Sequence, residues 1–111
     1  MANVPYKQIK RIWNATVKNV AIPGIRKLSE ARKKKLRTRW DEWGELAHEE
    51  SKLAIDIFIE IVEAMRDNDR YHGQSWSNFY FVIRNGHNWL NVLEQAAVKP
   101  AKEGAKWYDE D

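Results

Sequence analysis

The sequence of 111 residues contains no cysteine, which excludes disulfides, thiol nucleophiles and every cysteine-type zinc site together. It also lacks a long apolar run. The longest uninterrupted aliphatic or aromatic stretch is the five residues 79–83, against the about 20 residues that a membrane-spanning helix needs. No apolar signal-peptide region follows the opening Met1-Ala2-Asn3-Val4-Pro5. Glycine-rich phosphate loops and Ser-His-Asp arrangements are missing. The expectation from these absences is a soluble protein of the cytoplasm. What is present is a composition of 43% hydrophobic, 32% charged and 12% aromatic residues. That is enough apolar material for a single domain with a core, and too much for a wholly disordered chain. Six tryptophans let so small a domain bury much area with few residues.

The net charge of +3 hides a division along the chain. Residues 1–40 carry twelve Lys/Arg and one acid, Glu30, whereas residues 41–70 carry three basic and ten acidic residues. Such asymmetry points to an anionic partner for the first third, nucleic acid being the commonest. The alternative is that the oppositely charged parts pair with each other, within the fold or in a dimer.

Hydrophobic spacing predicts an all-α domain of four or five helices over residues 1–97. A first helix is expected over about 4–18, with Asn3 as its cap, Pro5 in its first turn and a stripe of Tyr6, Ile9, Trp13, Val17 and Val20. Pro23-Gly24 interrupts the pattern. A second helix starts after a Ser29 cap, with Glu30 at its positive end and an apolar stripe of Leu36, Trp40 and Trp43. Gly44 is expected to kink or stop it. The third helix carries Leu53, Ile57, Phe58, Ile61, Val62 and Met65 and is the expected central element, ended by Asp67-Asn68-Asp69. Residues 76–83 form a dense aromatic stretch, a short helix or a strand by period alone. Asn88 is the expected cap of a last helix with Trp89, Val92 and Leu93 facing inward. Residues 98–111 are expected to be a mobile tail, with Trp107-Tyr108 before three acids as a docking segment for a partner.

Two stretches resemble a known module. Ile25-Arg26-Lys27-Leu28-Ser29, continuing through Arg32, Leu36 and Arg39, follows Ile12-Trp13-Asn14 and Ile22-Pro23. It is similar to the segment (V/I)RKL(S/T)xxRxxxIxxR in the C-terminal modules of many phage and prophage replication proteins. Trp76-Ser77-Asn78-Phe79-Tyr80-Phe81-Val82-Ile83, then Asn88-Trp89-Leu90-Asn91-Val92-Leu93-Glu94, resembles the same module's closing aromatic segment. Together they cover roughly residues 9–94. The chain departs from the pattern at Asn85-Gly86, where the family has a proline and a shorter loop, and at Gln95, where it has glycine. In the family the module usually follows a winged-helix or similar DNA-binding domain, which these residues do not include. The resemblance implies a role in replisome organisation: contact with origin or single-stranded DNA, and help in recruiting the replicative helicase.

The basic run is the candidate site. At about 100° per residue, Arg32, Lys35 and Arg39 fall within about 60° of each other on one flank of the second helix. Lys33 and Arg37 lie on the other flank of the apolar stripe, Lys34 points away from it, and Arg26 and Lys27 extend the patch before the helix. Ser29 and the first backbone N–H groups offer an anion site at the helix start. Phosphate contact is the functional reading. The alternative for Arg32 and Arg39 is an internal pairing with acids such as Asp56 or Glu60. Trp13, Trp40, Trp76 and Trp89 are expected in the core, with Trp43 open. No metal or other cofactor is expected: His48, His72 and His87 are far apart in sequence, and Asp67-Asn68-Asp69 lacks the glycine and distal glutamate of a calcium loop. Glu60 and Glu63, three apart, read as a solvated face. The function expected is a non-enzymatic, phage-derived accessory of DNA replication, the strandedness of its DNA left open. The alternative is a protein-binding regulator that interferes with a host or competing replisome and binds no DNA.

Overall fold

Apolar residues recurring three and four apart fold into helices whose striped faces turn toward one another. A computed structural model describes residues 3–97. It contains α1 (Tyr6–Thr16), α2 (Glu30–Glu49), α3 (Ala54–Arg66), α4 (Phe79–Arg84) and α5 (Gly86–Ala97), with a 3-10 turn at Asp69–Tyr71 between α3 and α4. There is no strand among the described residues, so the architecture is an all-α bundle. The tail at 98–111, with Trp107 and Tyr108, lies outside them. The central position expected for the third helix is what forms: α3 packs against α1, α2 and α5. Its Ile57, Phe58, Ile61, Val62 and Met65 are completely buried.

A continuous series of rings ties all five helices together. Trp89 of α5 meets Trp43 of α2 edge-on with centroids 6.2 Å apart, and Trp43 lies 5.5 Å from Phe58 of α3. Phe58 meets Phe79 of α4 at 6.4 Å, and Phe79 meets Trp13 of α1 at 5.4 Å. Edge-to-face rings at such distances add to the stabilisation from burial alone. The segment between α1 and α2 is strapped onto α1 by side chains bonding to its backbone. Trp13 Nε1 donates to Pro23 O at 2.8 Å, and Asn14 both donates to Ile25 O and accepts from Ile25 N, at 3.0 and 2.6 Å. These bonds satisfy backbone groups that a loop would otherwise leave unpaired.

Several local expectations are corrected. Pro5 is the N-cap of α1 and lies outside its first turn, so the helix starts at Tyr6 and ends at Thr16, inside the expected 4–18. Leu53 is not on the buried stripe: α3 begins one residue later, and Leu53 is 68% exposed while its N–H donates to the Asp56 carboxylate at 2.9 Å. Gly44 does not stop α2, which continues through it. The helix ends at Glu49, where Ser51 takes a φ of 58°, its N–H donates to His48 O, and Lys52 N donates to Ala47 O at 2.8 Å. That pair of bonds satisfies the last carbonyls and is the physical stop. The aromatic stretch resolves into a short helix, α4, capped by Asn78, whose side chain accepts from Phe81 N. Trp76 falls before that cap and is 43% exposed, resting against Tyr71 and Phe81 outside the core. Asn85, not Asn88, caps α5: its Oδ1 accepts from Asn88 N at 2.9 Å, and Asn88 Nδ2 donates to Phe81 O.

Gly44 gives a direct test of this correction. A Cβ added there meets no atom within 4 Å. Gly44→Ala is therefore expected to stabilise the domain by about 0.5–1 kcal/mol through helix propensity alone. A rise in thermal midpoint checks it; a fall would mean that α2 bends at this residue.

Candidate nucleic-acid interface

Opposite charges at the ends of α2 make its N-terminal half the place to look for an anion. The Ser29 cap forms as expected, its hydroxyl accepting from Arg32 N at 3.2 Å. The cations that follow then divide. Arg39 is drawn into the fold: its side chain is 12% exposed and its Nη2 lies 3.2 Å from Glu42, one turn on. Glu42 also accepts from Trp89 Nε1 at 2.9 Å. A nearly buried guanidinium requires such a partner. The internal pairing expected as the alternative for Arg39 thus exists, but with Glu42 and not with Asp56 or Glu60. Asp56 is turned to the start of its own helix, and Glu60 lies 2.6 Å from Lys52. Arg32 is half-buried, and Lys35 is exposed on the same flank.

The other flank of α2 meets α1. Arg37 Nη1 donates to the Tyr6 hydroxyl at 3.1 Å, and Lys33 Nζ sits 5.2 Å above the Tyr6 ring. Cation–ring contact and hydrogen bond hold both cationic side chains against the first turn of α1. Lys7 and Arg11, four residues apart on the exposed side of α1, stand beside them. An open groove of about 570 Å³ is lined by Pro5, Tyr6, Lys7, Gln8, Arg11 and Lys33, three of them cationic and none acidic. Glu30, exposed at the start of α2, lies 3.7 Å from Lys33.

Arg26 and Lys27 are exposed on the strap. Lys10 Nζ donates to Arg26 O at 2.6 Å, so α1 also fixes this end of the patch. Of the residues expected to bind nucleic acid, Lys33 and Arg37 are brought together with α1, Arg26 and Lys27 are held alongside α1 by the strap, and Lys35 stands apart with Arg32. Sequence reasoning alone misses Lys7 and Arg11. Their four-residue spacing opposite the Ile9/Trp13 stripe is the signal that could have found them, and only the Tyr6 contacts show that α1 and α2 share one surface. Among the described residues, no group of three or more His, Cys, Asp or Glu side chains is placed to hold a metal ion, and no helix is long and apolar enough to cross a membrane. No protein-family model matches the chain, and no curated protein and no solved structure matches it.

Proposed function

We propose that this domain is a phage-type accessory of DNA replication that holds DNA by its phosphates and helps to recruit the replicative helicase, without catalytic activity of its own. The observation that carries the DNA part is the acid-free groove between α1 and α2, where Lys7, Arg11 and Lys33 converge and Arg37 is fixed beside them by Tyr6. Cations spaced along two helices at one surface suit a run of phosphates, a contact that carries no sequence information, so the binding is weak and largely indifferent to sequence. The motif likeness to replication modules supports the biological setting.

Titration of labelled single- and double-stranded oligonucleotides at several salt concentrations tests the reading. With four cations engaged, log affinity is expected to fall against log salt with a slope of about −3 to −4 on duplex, and about −3 on single strands. Absence of binding to either at low salt would give the basic face to a protein partner instead, and the regulator reading would replace this one.

A further inference from the structure

Two open grooves of about 580 and 460 Å³ run along α5 and share Leu46 and Leu90. They lie about 20 Å along α2 from Lys33 and on its opposite flank, well away from the basic face. Their apolar floor is Leu46, Ala64, Leu90 and Leu93, of which Leu90 is 40% exposed. The rim is acidic, and part of it is already neutralised. Lys52 bridges Glu60 at 2.6 Å and Glu50 at 3.2 Å, and these bonds raise the Lys52 pKa above its ordinary value. Asp67 is held by Arg66 at 2.8 Å, which lowers its pKa. Glu45, Glu49, Glu63 and Glu94 remain, with no cation within 4 Å among the described residues.

We infer that this groove is the docking site for a cationic amphipathic helix of another protein, its apolar stripe on Leu46, Leu90 and Leu93 and its Lys/Arg flanks on Glu45, Glu49, Glu63 and Glu94. Helix α5, about 18 Å long, sets the matching length at about three turns. Two other occupants fit the charge less well. Residues 98–111 carry three lysines against four acids, so the chain's own tail brings no net positive charge. A second copy could offer its basic face, but the exposed large apolar side chains among the described residues are Leu53, Trp76 and Leu90, none of them in the basic groove of α1 and α2. Such a face would pair the carboxylates and leave the leucines wet.

The inference does not depend on DNA binding, and its test uses the full chain without nucleic acid. The probe is a labelled synthetic peptide of about three helical turns, leucine at helical three- and four-residue spacing and lysine elsewhere, against a scrambled peptide of the same composition. The amphipathic peptide is expected to bind about tenfold or more tightly than the scrambled one, and the uncharged change Leu90→Asn to weaken it by about tenfold. Circular dichroism of Leu90→Asn shows whether the fold is intact. The shape-conserving pair Glu63→Gln and Glu94→Gln is expected to weaken the peptide and reduce its salt dependence. Equal binding of both peptides, or unchanged binding to Leu90→Asn, would overturn the inference. A tenfold gain in peptide affinity on Trp107→Ala with Tyr108→Ala would overturn it in favour of the tail. Self-association at low salt that Leu90→Asn abolishes would overturn it in favour of a second copy.

Discussion

Replacing Trp43 with alanine is expected to leave the domain largely unfolded at temperatures where the parent chain is stable. The indole is completely buried and stands in the middle of the series of rings, in contact with Trp40, Phe58 and Trp89. Removing such a side chain costs about 3–5 kcal/mol, from reduced burial and from the cavity that rigid neighbours cannot fill. A domain of this size is stable by an amount on the order of 5–15 kcal/mol, so the change consumes a large part of the whole. Each kcal/mol shifts the midpoint by about 4–8 °C in a domain of 60–100 residues, so the drop should exceed about 12 °C. Trp13→Ala should be comparable, because the ring is equally buried and its Nε1 bond to Pro23 O holds the strap. Trp40 and Trp89, at 8% and 5% exposure, are expected in the same range. Trp76→Ala is the contrast: at 43% exposure, with one face on Tyr71 and Phe81, it should cost only about 1–2 kcal/mol. Thermal unfolding followed by near-ultraviolet circular dichroism measures all five. Similar midpoints for Trp43→Ala and Trp76→Ala would show that the ring series is not the core.

That contrast marks where the fold is legible from sequence. Stripes such as Leu36/Trp40/Trp43 and Ile57/Phe58/Ile61/Val62/Met65 are read correctly because helical period is a local property. Trp76 is misplaced because an aromatic residue in an aromatic run carries the same apolar weight on either side of a cap, and only the Asn78 bond to Phe81 N shows where α4 begins. Gly44 misleads for a related reason. Its helix penalty of about 1 kcal/mol is small beside the burial of Trp40, Trp43 and Ala47 around it, so the helix runs through. Arg39 is recognisable as a candidate internal ion, and Glu42, three residues on along α2, is a partner that helical spacing alone offers. What sequence does not show is that α5 brings Trp89 Nε1 to the same carboxylate and so holds the pair at the edge of the core. The groove along α5 is not legible at all, since Leu46, Ala64 and Leu90 come from three helices and meet only in the packed bundle.

Charge reversal on α1 is expected to have the largest effect on nucleic-acid binding. Lys7 and Arg11 lie in the groove beside Lys33, and both are exposed, so their replacement by glutamate disturbs no buried group. The double change Lys7→Glu with Arg11→Glu leaves two phosphates unpaired and sets two carboxylates against the backbone. The salt slope should fall by about 2, close to 1 for each phosphate left without its cation. Affinity at low salt should fall roughly tenfold or more, because the new like charges repel what the old ones attracted. Lys35→Glu supplies the comparison: the residue is equally exposed but lies on the other flank of α2, so its effect should be the smaller one. Arg39→Ala must be read differently, since it leaves Glu42 without its ion partner and should lower stability before it touches binding. Circular dichroism on each variant separates unfolding from weakened binding. If Lys35→Glu weakened binding more than the α1 pair, the DNA would lie on the Arg32/Lys35 flank, and the groove built around Tyr6 would not be its seat.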